Sequence, residues 1–161
     1  MATPQKITPF LWFNTEAEEA ANLYVSLFQD SKILSVSRYG DAGPGPKGSA
    51  MVVEFQLAGQ KFSALNGGPV FNFTEAISLA VSCDSQEEVD TLWSKLTANG
   101  GQESKCGWLK DRFGLSWQIV PTRFIQLMQD KDPKRTQRVM QAMLTMKKFD
   151  IARLEQAYAQ D

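Results

Sequence analysis

The 161-residue sequence contains no histidine and only two cysteines. Histidine is the commonest general acid or base and the commonest transition-metal ligand in proteins. Its absence excludes Ser-His-Asp triads, Cys-His pairs, HExxH zinc sites and iron facial triads built from one chain. Cys83 and Cys106 are too few for a disulfide framework and lack the spacing of a metal site. Any chemistry in this chain must therefore use carboxylates, Lys, Tyr, Cys, Ser or a bound cofactor.

Long apolar segments and a strong charge of one sign are also missing. No apolar run approaches the ~20 residues that a membrane helix needs, and the N-terminal sequence MATPQKI lacks the apolar core of a signal peptide. Together with the two cysteines, these features predict a cytoplasmic protein that has no membrane partner. The net charge of −1, from 17 basic and 18 acidic residues, gives no overall attraction to nucleic acid.

What the sequence does contain is a repeated order of elements. Thr15 and Ser85, each followed three residues later by Glu, form two predicted capping boxes about 70 residues apart. Each predicted helix lies between one strand and about three more, so the chain is predicted to be an α+β protein of two βαβββ modules. The predicted strands are 7–13, 31–39, 51–57 and 61–66 in the first module, and 76–83 and segments around 103–108, 109–112 and 115–120 in the second.

The two modules are predicted to form one domain over residues 1–121, with module bounds of about 5–70 and 75–121. A helical extension follows over 122–161, with a short helix at 123–129, a helix that begins at Pro133 and runs through Met146, and a last helix capped by Asp150. The extension is locally basic and has a Met-rich apolar face. Because it lacks aromatic interleaving, it is predicted to pack on the modules or on a second subunit, with no nucleic-acid partner. Loop 40–48, GDAGPGPKG, is predicted to be irregular and mobile.

Several segments carry a family resemblance: ITPFLWFN at 7–14, AANLY at 20–24, DTLW at 90–93, KFDI at 148–151 and above all GWLKDRFGLSWQIVP at 107–121. From residue 7 to 158 the chain resembles the PhnB-like family, whose domain is also named 3-demethylubiquinone-9 3-methyltransferase. That family belongs to the vicinal-oxygen-chelate superfamily, which includes glyoxalase I. The resemblance implies two βαβββ modules that close around a cavity, with C-terminal helices.

Many members of that superfamily hold a metal through four His, Gln or Glu ligands. Carried over by resemblance, these positions fall at Pro9 or Leu11, at Leu65 or Asn66, and at Ser78 and Gln118. Neutral amide and hydroxyl oxygens are poor ligands for a divalent ion without carboxylate, imidazole or thiolate help. The resemblance together with this donor set predicts no metal and no cofactor.

Six residues are candidates for lining a ligand cavity, and each also has a purely structural interpretation: an ordinary sheet surface, core packing of the tryptophans, or a salt-bridged turn at Asp111 and Arg112. They are Trp12, Asn66, Ser78, Trp108, Arg112 and Gln118. No catalytic residue can be assigned. The predicted function is metal-free binding of a small molecule by a C2 homodimer. The alternative is an enzyme, a lyase, isomerase or methyltransferase-like protein, that uses atypical ligands or no metal.

Overall fold

The computed structural model describes residues 4–160, which divide into two compact units, one ending at Phe73 and the other beginning at Thr74. Each unit contains one four-stranded sheet with a helix after its first strand. Both sheets have the same strand order and the same pattern of parallel and antiparallel neighbours. The predicted α+β class with two βαβββ modules and C-terminal helices is therefore confirmed.

The first unit is one βαβββ module. Its elements are β1 (Phe10–Phe13), α1 (Ala17–Leu27), β2 (Lys32–Arg38), β3 (Ala50–Leu57) and β4 (Gln60–Asn66). The strand order is β1-β4-β3-β2, with β1 parallel to β4 and the other pairs antiparallel. The β3–β4 hairpin turns at Ala58 and Gly59, whose φ values of 48° and 83° suit the tight turn that joins two twisted strands.

Alternation along β1 sends its side chains to opposite faces of the sheet. Leu11 and Phe13 are buried on the face that α1 covers, whereas Phe10 is 62% exposed and Trp12 is half-buried on the other face. The helix contributes a buried stripe that ends in Tyr24, which lies 6.3 Å from the Phe55 ring. The core of this unit therefore lies between α1 and one face of the sheet.

The start of α1 differs from the predicted capping box. Glu16 occupies the N-cap position without a side-chain cap bond, and Glu18 pairs with Arg38 at 3.0 Å. The cap bond comes from β4, because Asn66 Oδ1 accepts from the Ala17 backbone N–H at 2.8 Å. The prediction of a Thr15 cap is thus wrong. A free N–H at the start of the helix bonds to Asn66, which lies 49 positions away, and not to the nearby Thr15 hydroxyl.

The second unit repeats the module and adds helices. Its elements are β5 (Ser78–Cys83), α2 (Gln86–Thr97), a 3-10 turn (Ala98–Gly100), β6 (Gln102–Glu103), β7 (Trp108–Lys110), β8 (Ser116–Pro121), α3 (Thr122–Met128), α4 (Pro133–Leu144) and α5 (Ile151–Ala159). The strand order is β5-β8-β7-β6, with β5 parallel to β8. β6 is only two residues long, so this edge of the sheet offers little backbone for pairing.

The α2 helix covers one face of the second sheet. Ser85 caps it as predicted, accepting from Glu88 N–H at 3.1 Å, while the Glu88 carboxylate accepts from Asp84 N–H at 2.8 Å. Trp93 and Trp117 are 4% and 1% exposed, which confirms the prediction that both are core residues. The face of the sheet away from α2 carries the small and polar side chains.

The Gln86 side chain of α2 contacts the segment that leads into α5. Gln86 donates to Phe149 O at 2.9 Å and accepts from Ile151 N–H at 2.8 Å. The predicted starts of α4 and α5 are confirmed. Pro133 occupies the first turn of α4, and Asp150 caps α5 by accepting from the Arg153 N–H at 3.1 Å. The predicted Met-rich face of α4 is divided: Val139 is buried, but Met140 and Leu144 are exposed.

Across residues 4–160, none of the helices has both the length and the apolar character that crossing a bilayer requires.

Candidate functional site

The face of the second sheet that α2 leaves uncovered brings three of the predicted cavity residues together. Gln118 lies directly opposite Trp108 on β7, and its Nε2 donates to Ser78 Oγ on β5 at 2.9 Å. All three side chains are half-buried. We call Ser78, Trp108, Ser116 and Gln118 the sheet-face cluster, since Ser116 pairs with Ser78 in the same register.

Ser116 holds a hydroxyl group with no protein partner. The residue is 1% exposed, and its Oγ is the buried side-chain oxygen or nitrogen within residues 4–160 that lacks a hydrogen bond. A buried unpaired polar atom costs about 1–3 kcal/mol, so native proteins satisfy such atoms with protein, water or ligand. This hydroxyl is therefore a polar atom of the sheet-face cluster whose hydrogen bond no described residue supplies.

A charged pair borders the cluster on β7. Lys110, which pairs in register with Ser116, contacts the Glu75 carboxylate. The hydrogen bond from Lys110 lowers the pKa of Glu75. Both side chains of the pair are partly exposed. The pair therefore forms a charged border at one side of the cluster.

Trp12 and Asn66 point to opposite faces of the first sheet. Trp12 pairs with Leu65, its indole N–H donates to Gly68 O at 2.9 Å, and its ring meets the edge of Phe71 at 4.9 Å. Asn66 pairs with Phe13 on the face that α1 covers. The two residues therefore cannot line one common wall of this sheet.

Asn66 has structural partners for both of its amide atoms. Its Oδ1 caps α1 at Ala17, its Nδ2 donates to Ala50 O at 3.1 Å, and its own carbonyl accepts from the Tyr39 hydroxyl at 2.5 Å. These contacts hold the start of α1, the start of β3 and the end of β4 together. A ligand would have to displace one of them to reach the side chain.

A cavity of about 450 Å³ lies beside Asn66, within the first unit. Its apolar wall includes Tyr39 and the loop around Pro44, and its charged groups, Glu18 and Arg38, are paired with each other. Loop 40–48 has no helix or strand, as predicted. The loop packs against the Tyr39 ring, since a Cβ built on Gly45 would lie 2.4 Å from that ring.

Arg112 belongs to the turn between β7 and β8. Its guanidinium lies 4.8 Å from the centre of the Phe113 ring. The neighbouring Asp111 is 2% exposed and accepts backbone and indole N–H groups from this turn and from β8. The turn is therefore organised around the buried Asp111 carboxylate. That Arg112 lines a cavity stays a prediction.

The metal-ligand positions of the superfamily do not fit a divalent ion in this chain. Ser78 and Gln118 are bonded to each other, Asn66 uses both amide atoms on backbone groups, and the Pro9 carbonyl accepts from Ser63 N–H. Within residues 4–160, no group of three His, Cys, Asp or Glu side chains gathers at one place. Neutral amide and hydroxyl oxygens without a carboxylate, imidazole or thiolate beside them do not offset the dehydration of a divalent ion.

The two cysteines differ in burial and are both unpaired. Burial, with smaller contributions from Glu88 and Asp84, raises the pKa of Cys83 to about 12. At pH 8 the Cys83 side chain is therefore almost entirely the neutral thiol. Cys106 is half-buried and has φ of 57°.

We expect iodoacetamide at pH 8 to modify one thiol per folded chain, because thiolate is the reacting form and Cys83 is neutral and fully buried. Intact-mass measurement should show a single adduct, and Cys106→Ser should abolish it. Both thiols should react after unfolding in urea. Two adducts on the folded protein, or an adduct that persists in Cys106→Ser, would contradict the assignment.

Sequence reasoning did not select Ser116. It placed Ser116 and Gln118 on one face by alternation, but the burial of the hydroxyl and its lack of a partner depend on the neighbouring strands. No residue spacing encodes that property. A single polar residue between apolar neighbours in a buried strand is the nearest available signal.

Comparison with known proteins gives one family match. The family described as 3-demethylubiquinone-9 3-methyltransferase matches residues 5–120. A solved structure titled a putative 3-demethylubiquinone-9 3-methyltransferase, PhnB protein, from Bacillus cereus is 42% identical, with a TM-score of 0.68 over 73% of this chain and 99% of that one. The sequence resemblance was predicted to extend to residue 158, whereas the family match ends before the C-terminal helices.

More distant structures share the fold. Protein PA1353 from Pseudomonas aeruginosa is 22% identical, with a TM-score of 0.60 over 73% of this chain and 97% of that one. The fosfomycin resistance protein FosX from Listeria monocytogenes, in a complex with Mn(II) and sulfate, is 15% identical, with a TM-score of 0.51 over 73% and 92% of the two chains. No curated protein matches the sequence.

Proposed function

The chain belongs to the PhnB-like family, named 3-demethylubiquinone-9 3-methyltransferase, of the vicinal-oxygen-chelate superfamily, and we propose that it is a small-molecule binding protein that works without a metal ion. The observation that carries this proposal is the buried, unpartnered Ser116 hydroxyl within the sheet-face cluster. Binding of a polar ligand atom, directly or through a water, would satisfy it.

The sheet-face cluster offers the kinds of contact that a flat organic ligand needs. Trp108 supplies an aromatic wall, and the Gln118 amide and the Ser78 hydroxyl supply polar groups that fix orientation. The ligand class that fits is therefore a neutral, flat molecule with one or two hydrogen-bonding atoms. Trp12, Asn66 and Arg112 each stay a proposed ligand contact.

The donor chemistry supports a metal-free site. The FosX structure contains Mn(II), but its 15% identity relates it to this chain by fold alone. Here, Gln118 and Ser78 offer neutral oxygens and already bind one another. A ligand held by hydrogen bonds and stacking suits these groups better than a divalent ion does.

A methyltransferase is the second candidate, because the family and the Bacillus cereus relative carry that name. Doubly wound S-adenosylmethionine enzymes use a glycine-rich turn that leads from a strand into a helix. Loop 40–48 is rich in glycine but leads into strand β3. The chain's own features therefore favour binding over methyl transfer.

The proposal includes a C2 homodimer, which the superfamily resemblance predicts, and a cytoplasmic location, which the composition predicts. Both properties are open to direct measurement. Native mass spectrometry should give twice the 18.0 kDa chain mass.

The proposal is tested by metal analysis and by a neutral flat dye, N-phenyl-1-naphthylamine. Protein purified without added metal should contain no stoichiometric Mn, Zn, Ni or Fe. The dye should bind saturably, and Trp108→Ala should weaken its binding about tenfold because the aromatic wall is lost. Trp108→Phe, which keeps a ring, should stay within about threefold. Stoichiometric metal, or equal dye binding by the wild type and Trp108→Ala, would overturn the proposal.

A control addresses the Ser116 hydroxyl itself. Removing a buried hydroxyl that has no partner should leave the free energy of unfolding of Ser116→Ala equal to or higher than that of the wild type. Urea unfolding measures this difference. A loss of more than about 1 kcal/mol would reveal a protein partner for the hydroxyl, and the observation behind the proposal would fail.

A further inference from the structure

A second pocket lies in the C-terminal helices, between α4 and α5. It is a groove of about 360 Å³. Its lining has two arginines, three glutamines, one threonine and two alanines, with no carboxylate. The polar members are Arg138, Gln141, Thr145, Arg153, Gln156 and Gln160. We call this the α4–α5 groove.

The two arginines of the groove retain unused donors. Arg138 donates through Nε to Ala157 O at 3.0 Å and through Nη2 to Tyr158 O at 3.3 Å. Arg153 donates through Nη2 to Thr145 Oγ1 at 3.1 Å. Each guanidinium has five N–H groups. Arg138 Nη1 and Arg153 Nε and Nη1 therefore remain available within the described part of the chain.

Charge pairing distinguishes these arginines from Arg123 of α3 and Arg135 of α4. Arg123 forms an ion pair with Glu155, with Nη2 and Oε2 3.1 Å apart, and Arg135 lies 3.7 Å from Asp130. Among residues 4–160, no carboxylate oxygen lies within 4 Å of the guanidinium of Arg138 or Arg153. The groove thus has two positive charges that no carboxylate of residues 4–160 neutralises by contact.

We propose that the α4–α5 groove binds a small polyanion that carries phosphate or carboxylate groups. The unused N–H groups of the two guanidiniums can donate charge-assisted hydrogen bonds to the oxygens of such groups, and the glutamine amides can donate to the remaining oxygens. The groove lies outside residues 5–120, the part that matches the family. This site is independent of the sheet-face cluster and of the function proposed for it.

Titration with inorganic pyrophosphate and with citrate tests this site. Backbone NMR shifts should saturate, with the changes concentrated in α4 and α5. The better binder of the two identifies phosphate or carboxylate as the preferred group. Arg153→Gln should weaken binding at least about tenfold, and Arg138→Lys should weaken it to a smaller extent, because lysine keeps the charge but loses the planar set of N–H donors.

The matched control is Lys134→Gln, which removes one positive charge from an exposed position of α4 outside the groove. Its affinity should stay within about twofold of the wild type. Gln118→Ala should also leave pyrophosphate and citrate affinity unchanged, which separates this site from the sheet-face cluster. The proposal is wrong if neither anion gives saturable shifts, if Arg153→Gln binds like the wild type, or if Lys134→Gln weakens binding as much as Arg153→Gln. Unchanged thermal unfolding of Arg153→Gln confirms that the variant is folded.

Discussion

Replacing Asp111 with alanine is expected to lower the free energy of unfolding by about 3–5 kcal/mol, the largest effect of any substitution considered for this protein. The side chain is 2% exposed and accepts hydrogen bonds from N–H groups of the turn and of β8. Its Oδ1 receives the N–H groups of Phe113 and Leu115 at 2.9 and 3.1 Å, and its Oδ2 receives the Trp117 indole N–H at 2.9 Å. Alanine leaves all three donors without this acceptor in a buried turn.

Urea unfolding followed by tryptophan fluorescence measures the loss. The free energy of unfolding of Asp111→Asn should lie between those of the wild type and Asp111→Ala. Its amide oxygen can still accept from the backbone N–H groups, but its NH₂ faces the indole donor. In a double-mutant cycle, Trp117→Phe should cost less in the Asp111→Asn background than in the wild type. Asp41→Ala is the control, because the Asp41 side chain is 85% exposed in its pair with Lys47. A loss below about 1 kcal/mol for Asp111→Ala would show that water or a rearranged turn replaces the carboxylate.

Asn66→Ala is expected to destabilise the protein by about 2 kcal/mol. The substitution removes the cap on Ala17 and the donor to Ala50 O, at 2.8 and 3.1 Å. Asn66→Asp should cost less, because an oxygen still accepts from Ala17 and a carboxylate is favourable at a helix N-terminus. Thermal or urea unfolding measures both changes.

The Asn66 variants also distinguish a helix-capping role of Asn66 from the ligand-contacting role that the sequence predicted. Asn72→Ala, at an exposed asparagine of the same unit, is the matched control and should change stability by less than about 0.5 kcal/mol. If Asn66→Ala unfolds like the wild type but loses dye binding, then Asn66 is a ligand residue and its cap role is dispensable.

Local patterns in the sequence were sufficient for most elements. The Ser85 capping box, the first-turn proline of α4 and the Asp150 cap all depend on residues within four positions of each other, and each forms. The equivalent pattern at Thr15 fails because a distant side chain on β4 reaches the same helix end. A rule based on neighbouring residues cannot include a side chain, such as Asn66, that only the fold brings close.

The candidate site shows the same division. Alternation along β5 and β8 was enough to put Ser78 and Gln118 on one face, and the structure bonds them. Alternation along β1 and β4 could not show that Trp12 and Asn66 face opposite ways, because that depends on which residues of parallel strands pair. Register between strands is a long-range property.

The sequence by itself determined the modules, the family and the scarcity of metal-ligating side chains, because periodicity, turn residues and residue types are all local information. Only the tertiary structure decided that Asn66 caps a helix, that the Ser116 hydroxyl is buried without a partner, and that Arg138 and Arg153 share a groove without a carboxylate. In each case, residues that are far apart in the chain form the surroundings of the side chain. Burial, pairing and charge neutralisation are properties of that surrounding.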